Sequence, residues 1–457
     1  MNYLLNHIAP QKNIAIAARG SRLQRVVISA TFDPDFPGGG SKYSTDLVRV
    51  WLKNGYNVHV LCSNHKRNIM EYEAHQSDGK LVIHAISNYN EIMFSHTYRQ
   101  DVYDAAWRII HDIQPETIHI HNFPGMLGAV WAAVNSNFPT IYTALDFGLI
   151  CIGWYLYNGT ETPCIGPKTG KCRECLKANN HMPQYTRLFT KLHPFVTSVV
   201  VRLAGKAPSF YRQYAYLSDY YDRALEHLEK MVPLLARFDA IVTISKITGQ
   251  VFLGYGVSKE RIHYAVQGVD INESKESVEA RSCDEVILVY LGHFAPIKGF
   301  HVVVKALEQL PNGLRLKVKL FGSSAKLFVK FCSLSARRYL QVDRLLIGDE
   351  VEAELKLSDG LIIPSLWHEN TPYAVLRALS VGRPVIGSDH AGISHLITEA
   401  ENGLLIPPGN IGAWTEKLKM IAMKPDILRK MRTNCFYRKT VREHAKEIEQ
   451  IIKEVIA

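Results

Sequence analysis

Short, unbroken apolar runs alternate along the chain with stretches whose apolar residues recur every three or four positions. Arg25-Val-Val-Ile-Ser-Ala30 reads as a buried strand. A glycine turn follows at Pro37-Gly-Gly-Gly-Ser41, and Tyr43, Leu47, Val50 and Trp51 then fall at helical spacing until Asn54-Gly55 stops the helix. Val58-His-Val-Leu61 is the next strand. One strand–helix–strand unit of this size predicts a parallel sheet wrapped by helices. Leu81–Ile86, Thr117–His121, Thr140–Thr143 and Ala240–Ile244 continue the strands. A second series begins at Val286–Leu291 and runs through Leu316–Phe321, Gly360–Ile363, Val385-Ile386 and Leu404–Ile406.

The pattern predicts an α/β protein of two doubly wound, Rossmann-like domains. The first spans residues 1–275 and carries a Cys-rich, then basic, insertion at about 150–235, where the strand rhythm breaks. The second spans 284–435, and the polar, aperiodic stretch Asn272–Asp284 reads as the linker. Residues 436–457 form a last helix with Ala445, Ile448, Ile451, Ile452, Val455 and Ile456 on one face. That face needs a partner surface, either the nearest domain or, by packing back, the first one. Open α/β sheets bind ligands at the carboxyl ends of their strands, so the cleft between the domains is the expected site.

Composition narrows this little. With 47% apolar and 21% charged residues, disorder and fibrous repeats are excluded. The net charge of +10 points to anionic partners such as phosphates or lipid head groups. No recognised nucleic-acid module accompanies it, so no nucleic-acid partner is expected. No run of 18 apolar residues predicts a membrane span, and Met1–Gly20 lacks an apolar signal core. A reduced, cytoplasmic location follows as an expectation, with peripheral contact to the inner membrane face.

The richest stretch runs from Pro364-Ser-Leu-Trp-His-Glu369-Asn-Thr-Pro-Tyr373 through Arg377 to Gly382-Arg-Pro-Val-Ile386. A strand ends at Pro364, a loop carries Glu369, and a helix opens at Thr371-Pro372. Free amides and the positive dipole end of such a helix suit a diphosphate. Glu369 beside them would hydrogen-bond sugar hydroxyls, or would merely cap the helix.

This segment resembles the C-terminal signature of retaining GT-B glycosyltransferases of family 4. Glu369, Gly382, Pro384-Val385, Ala391-Gly392-Ile393 and Asn402-Gly403 through Gly409 follow its order. Gly292-His293 through Lys298-Gly299 resembles the family's cationic diphosphate loop. Gln267-Gly-Val-Asp270, Asp239 through Ser245, Pro115 through Asn122 and Gly38-Gly39-Gly40 resemble further motifs, from about residue 26 to 412. The resemblance implies two facing Rossmann-like domains and sugar transfer from a nucleotide-diphosphate sugar to a glycan, lipid-linked or small-molecule acceptor. It implies retention of configuration and no metal cofactor for catalysis. Glu369 and Lys298 would be catalytic. Gly38, Gly39, Gly40, Asn122, Asp146, Ser245, Gly292, His293, Gly322, Asn370, Thr371, Pro372, Tyr373 and Arg377 would join them in donor binding.

Three positions depart from the family. Its second Glu is Arg377, its diphosphate Arg is His293, and its donor-sugar His is Leu145 in Thr143-Ala-Leu-Asp146. An active enzyme with altered donor contacts and a degenerate, non-catalytic GT-B partner subunit both fit these changes. Retained Glu369, Lys298 and the glycine loop favour the enzyme.

Two further features fall in the insertion. Cys151, Cys164, Cys172 and Cys175 have spacings that would suit a structural four-thiolate zinc site, or are four reduced thiols. The basic, aromatic segment 185–223 would rest on an anionic membrane surface, or packs as a solvated helix pair.

Overall fold

The computed structural model describes residues 23–29, 32, 38–64, 71–76, 79–88, 98–123, 125–151, 231–270, 285–322, 324–346 and 348–457. The basic segment and the expected linker lie outside these residues. So do Cys164, Cys172 and Cys175.

Two sheets organise the described chain. The first contains β1 (Gln24–Ser29), β2 (Asn57–Asn64), β3 (Glu71–Gln76), β4 (Gly79–Asn88), β5 (Thr117–Asn122), β6 (Thr140–Ala144), β7 (Ala240–Thr243) and β8 (Ile262–Tyr264). Their order is β3-β4-β2-β1-β5-β6-β7-β8, parallel except for β3, which runs antiparallel to β4. The second contains β9 (Val286–Leu291), β10 (Leu316–Phe321), β11 (Leu340–Val342), β12 (Gly360–Ile363), β13 (Val385–Ser388) and β14 (Gly403–Ile406). It is parallel throughout, in the order β11-β10-β9-β12-β13-β14. Helices cover both faces, so the central strands bury both of theirs and read as continuous apolar runs. The result is an α/β fold of two sheets, each wrapped by helices on both faces.

Chain order reverses between β1 and β5 in the first sheet and between β9 and β12 in the second. Connections leave such strand pairs toward opposite faces and open a crevice at their carboxyl ends. The glycine run is placed at the first crevice. Gly38 is extended, and the helix Gly39–Lys53 starts inside the run rather than after it.

The closing helix, Val441–Ile456, crosses back to the first domain. Ala445, Ile448, Ile451 and Ile452 join Val27, Tyr43, Leu47 and Trp51 in one apolar cluster. Thr440 caps the helix reciprocally with Glu443. Arg25, almost fully buried, donates to Glu449 at 2.7 and 2.9 Å and stacks on Tyr56 and Trp51. The crossing is tight. A Cβ at Gly268 would lie 2.1 Å from the Thr440 carbonyl oxygen, and the Val269 amide donates to the Lys439 carbonyl at 3.0 Å.

Candidate active site in the interdomain cleft

The two crevices face each other across a cavity of about 840 Å³. It is lined by Gly38, Gly39, Gly40, Leu145, Gly292, His293, Lys298, Gly322, Glu369, Asn370, Thr371, Pro372, Tyr373 and Arg377. Asn122, Asp146 and Ser245, expected in the same set, do not line it. The carboxyl ends of β1, β9, β10 and β12 therefore deliver most of the expected residues to one place.

Glu369 sits in the loop after β12, with a side chain only 7% exposed. One oxygen, Oε1, accepts from Ser365 Oγ at 2.6 Å, Trp367 Nε1 at 2.9 Å and Lys298 Nζ at 2.8 Å. Three donors fix the carboxylate's direction, and two of them come from the same loop. The other oxygen, Oε2, has no hydrogen-bond partner among the described residues. The Lys298 ammonium also lies 4.7 Å from the Trp367 ring centroid. Ser365 and Trp367 were not expected at the site, although both stand in the motif that carries Glu369.

Backbone packing makes this loop intolerant of side chains around it. A Cβ at Gly392 would fall 1.4 Å from the Glu369 carbonyl oxygen. Gly299 has φ +69°, and a Cβ there would be 1.8 Å from the Pro364 carbonyl oxygen. At the ends of β9 and β10, a Cβ on Gly322 would lie 2.4 Å from the Gly292 carbonyl oxygen.

Thr371 carries the strain of the loop. Its φ is +111°, a region that a β-branched residue rarely enters. The first domain holds it there. Thr371 Oγ1 donates to the Ile244 carbonyl at 2.7 Å, and Gln267 Nε2 donates to the Thr371 carbonyl at 3.1 Å. Beside it, Asn370 Oδ1 accepts from Ser245 Oγ at 2.7 Å and from Thr248 Oγ1, while Asn370 Nδ2 donates to the Ala144 carbonyl at 2.6 Å. Ser245 and Asn370 are thus engaged with each other across the domains, with 0% and 3% of their surfaces exposed. Ser245 also caps the helix Lys246–Gly254.

Tyr373 opens the helix Tyr373–Ser380, with extended Pro372 as its cap. Its hydroxyl donates to Asp46 at 3.3 Å across the cleft. Burial, reinforced by Asp46, raises the Tyr373 phenol well above its usual range, so it stays protonated. Asp46 is itself paired with Lys42 and Arg49, which also reach Asp270 at 3.3 and 3.2 Å.

Arg377, expected in donor binding, lines the cavity but already has a partner. Its guanidinium pairs with Glu352 and donates to the Gly348 carbonyl, so its charge is compensated within the second domain. Burial, and then the neighbouring Lys298, push His293 below the ordinary imidazole range, which leaves it neutral near pH 7. Lys298, beside it, is paired with Glu369 at 2.8 Å. Away from the cavity, burial raises Asp146 to about 7 although the Gly148 amide donates to it at 2.8 Å. Asn122 Oδ1 is buried without a partner among the described residues. Cys151 ends the described chain before the insertion, with its amide donating to the Phe147 carbonyl at 2.8 Å.

Comparison with known proteins places this architecture. The sequence profile of Glycosyltransferase Family 4 matches residues 37–146, and that of Glycosyl transferases group 1 matches residues 271–437. The putative colanic acid biosynthesis glycosyltransferase WcaL of Escherichia coli is 23% identical over 194 residues, covering 40% of this chain and 48% of WcaL. A D-inositol 3-phosphate glycosyltransferase of Xylanimonas cellulosilytica is 26% identical over 204 residues, 40% of this chain and 49% of that protein. The chain thus spans about half the length of the curated relatives it matches. Among solved structures, sucrose-phosphate synthase from Thermosynechococcus elongatus superposes with a TM-score of 0.61 at 16% identity, over 95% of this chain and 99% of that one. Anabaena HepE in complex with UDP-glucose gives 0.61 at 13% identity, over 95% and 100%. The two profiles fall one on each sheet and together identify the chain as a member of the family 4 glycosyltransferases, while the solved structures show that its fold is GT-B.

Proposed function

We propose that the cleft transfers a sugar from a nucleotide-diphosphate sugar to a glycan, lipid-linked or small-molecule acceptor, with retention of configuration and without a divalent metal. The observation that carries this reading is the aimed carboxylate of Glu369. Its Oε1 is held by Ser365, Trp367 and Lys298, which leaves Oε2 to accept from sugar hydroxyls. Lys298 would then meet the leaving diphosphate together with the free amides at the start of the helix Tyr373–Ser380. The glycine start of Gly39–Lys53 brings a second helix N-terminus to the opposite wall, with a Gly39 Cβ position 3.9 Å from Tyr373 Cβ. Charge that develops on the leaving group is met by fixed dipoles and one ammonium, and catalysis is positioning plus leaving-group stabilisation. Glycosyltransferase relatives and a fold neighbour solved with UDP-glucose support the donor class.

Thermal shifts against UDP, GDP, dTDP and CMP sugars test the donor class. A diphosphate sugar is expected to raise the melting temperature and a CMP sugar is not. No shift with any diphosphate sugar contradicts the reading. A non-catalytic GT-B partner is the second reading, favoured by the compensated charge of Arg377. It predicts donor binding with no transfer to any acceptor and no donor hydrolysis.

A further inference from the structure

The surface of the second domain carries a patch that the cleft does not use. Between β10 and β11, at the edge of the sheet, Leu327, Phe331 and Leu334 are 59%, 84% and 83% exposed. They stand within eight residues of one another in sequence, which is unusual for side chains of this size on a soluble surface. The segment beneath them is firmly seated. Phe328 stacks on Phe294 with ring centroids 4.7 Å apart, and Ala325 and Ala336 are buried at 1% and 0%. The apolar side chains are thus held outward by a packed backbone.

The charged residues of the segment itself have one sign. Lys326, Lys330, Arg337 and Arg338 are exposed, and residues 324–342 contain no Asp or Glu. Among the described residues none of the four cations pairs with a carboxylate. Arg337 donates to the Lys330 carbonyl, and Arg338 to the Ser335 carbonyl and Asn312 Oδ1. Glu308, from the helix Phe300–Glu308, accepts from Ser333 Oγ at 2.6 Å. Bulky exposed apolar side chains interleaved along the segment with exposed cations that have no carboxylate partner among the described residues complement a surface with anionic head groups above hydrocarbon. A protein partner of acidic character would satisfy the cations but would need a groove for three protruding tips.

We propose that this edge of the second domain docks on an anionic phospholipid bilayer, with Leu327, Phe331 and Leu334 entering the interface and the four cations meeting head groups. The inference is independent of the donor reading, since it concerns binding to vesicles and not transfer.

The test is co-sedimentation of the full chain with vesicles of phosphatidylcholine alone and with added phosphatidylglycerol. Binding is expected only with the anionic lipid. The triple variant Leu327→Ser, Phe331→Ser, Leu334→Ser and the double variant Lys326→Glu, Lys330→Glu are each expected to bind on the order of tenfold more weakly. Phe331→Trp should show a blue shift of the added emission with anionic vesicles. Wild type that pellets with neither lipid, or equally with both, overturns the proposal. Patch variants that pellet like wild type, or an unshifted tryptophan, overturn it as well. A dimer that the serine variant breaks, with vesicle binding unchanged, assigns the patch to self-association and also overturns it.

Discussion

Asn370 accepts a 2.7 Å hydrogen bond from Ser245, a residue 125 positions earlier and in the other domain. Both are buried, and with Thr248 and the Ala144 carbonyl they close a polar contact at the root of the cleft. Asn370 is the residue after Glu369, so the first domain positions the loop that aims the carboxylate. Asn370→Ala leaves the Ser245–Thr248 hydroxyl pair, 2.8 Å apart, with one donor short of an acceptor and Ala144 short of a donor. A cost of about 1–3 kcal/mol per buried unpaired group follows. The expected result is a kcat at least about tenfold lower with a modest fall in melting temperature. Unchanged turnover would show that the contact does not govern Glu369.

Gly392→Ala should be among the most damaging small changes. Its new methyl would overlap the Glu369 carbonyl oxygen, so the loop or the helix start after β13 must shift. Transfer is expected to be lost even where the variant folds. A crystal structure or a turnover assay with wild-type values would contradict the packing described.

Arg377 and Glu352 form a partly buried pair, with side chains 12% and 15% exposed. Removing Arg377 alone leaves a desolvated carboxylate, and Arg377→Glu places a second one beside it. Urea unfolding should report a loss of about 1–3 kcal/mol for Arg377→Ala, the cost of an unsatisfied part-buried group, with a larger loss for Arg377→Glu. The double variant Arg377→Ala, Glu352→Ala should recover part of it, and additive losses would deny the coupling.

Acid should loosen the return of the last helix. His444 Nε2 lies 2.9 Å from the Tyr43 hydroxyl, and His121 Nδ1 lies 2.8 Å from Ser44 Oγ. Burial holds both imidazoles down to about 3. Unfolded histidine titrates near 6.5, so between these values the unfolded chain binds more protons than the folded one. Stability therefore rises with pH up to about 6.5 and falls as pH drops below it. Each histidine contributes a slope of about 1.4 kcal/mol per pH unit in that window. His444→Gln should flatten the slope measured by urea titration between pH 6 and 5, and an unaltered slope would exclude His444.

Much of this was legible in the sequence because the informative residues are local. The apolar runs that mark β1, β5, β9 and β12 sit at the centres of their sheets. The strands that no run announced are β3, β8 and β11, and all three are sheet edges. Glu-Tyr-Glu-Ala-His-Gln at β3 carries no apolar run for a period to reveal. Glu369 stood out because its loop joins a strand to a helix start, and Lys298 and the glycines stood out only through their resemblance to family motifs. The roles of Ser245, Asn370 and Arg377 were not, because each depends on a partner distant in sequence. Ser245 was named in the sequence only through a family-like motif; in the fold it caps a helix and its hydroxyl also crosses the domains. Arg377 reads as a cation for the diphosphate until Glu352, from the helix Glu350–Lys356, compensates it. The apolar stripe of Val441–Ile456 announced a partner face, and only the fold shows that Tyr43, Leu47 and Trp51 supply it.

The central claim is that Glu369 and Lys298 form the working pair of a transferase cleft. Its most direct test is release of nucleoside diphosphate from the donor that gives the largest thermal shift, for wild type, Glu369→Ala and Lys298→Ala. Wild type should turn over, and each variant should fall to background while remaining folded. Wild-type turnover in both variants would contradict the assignment of this cleft as the site of transfer.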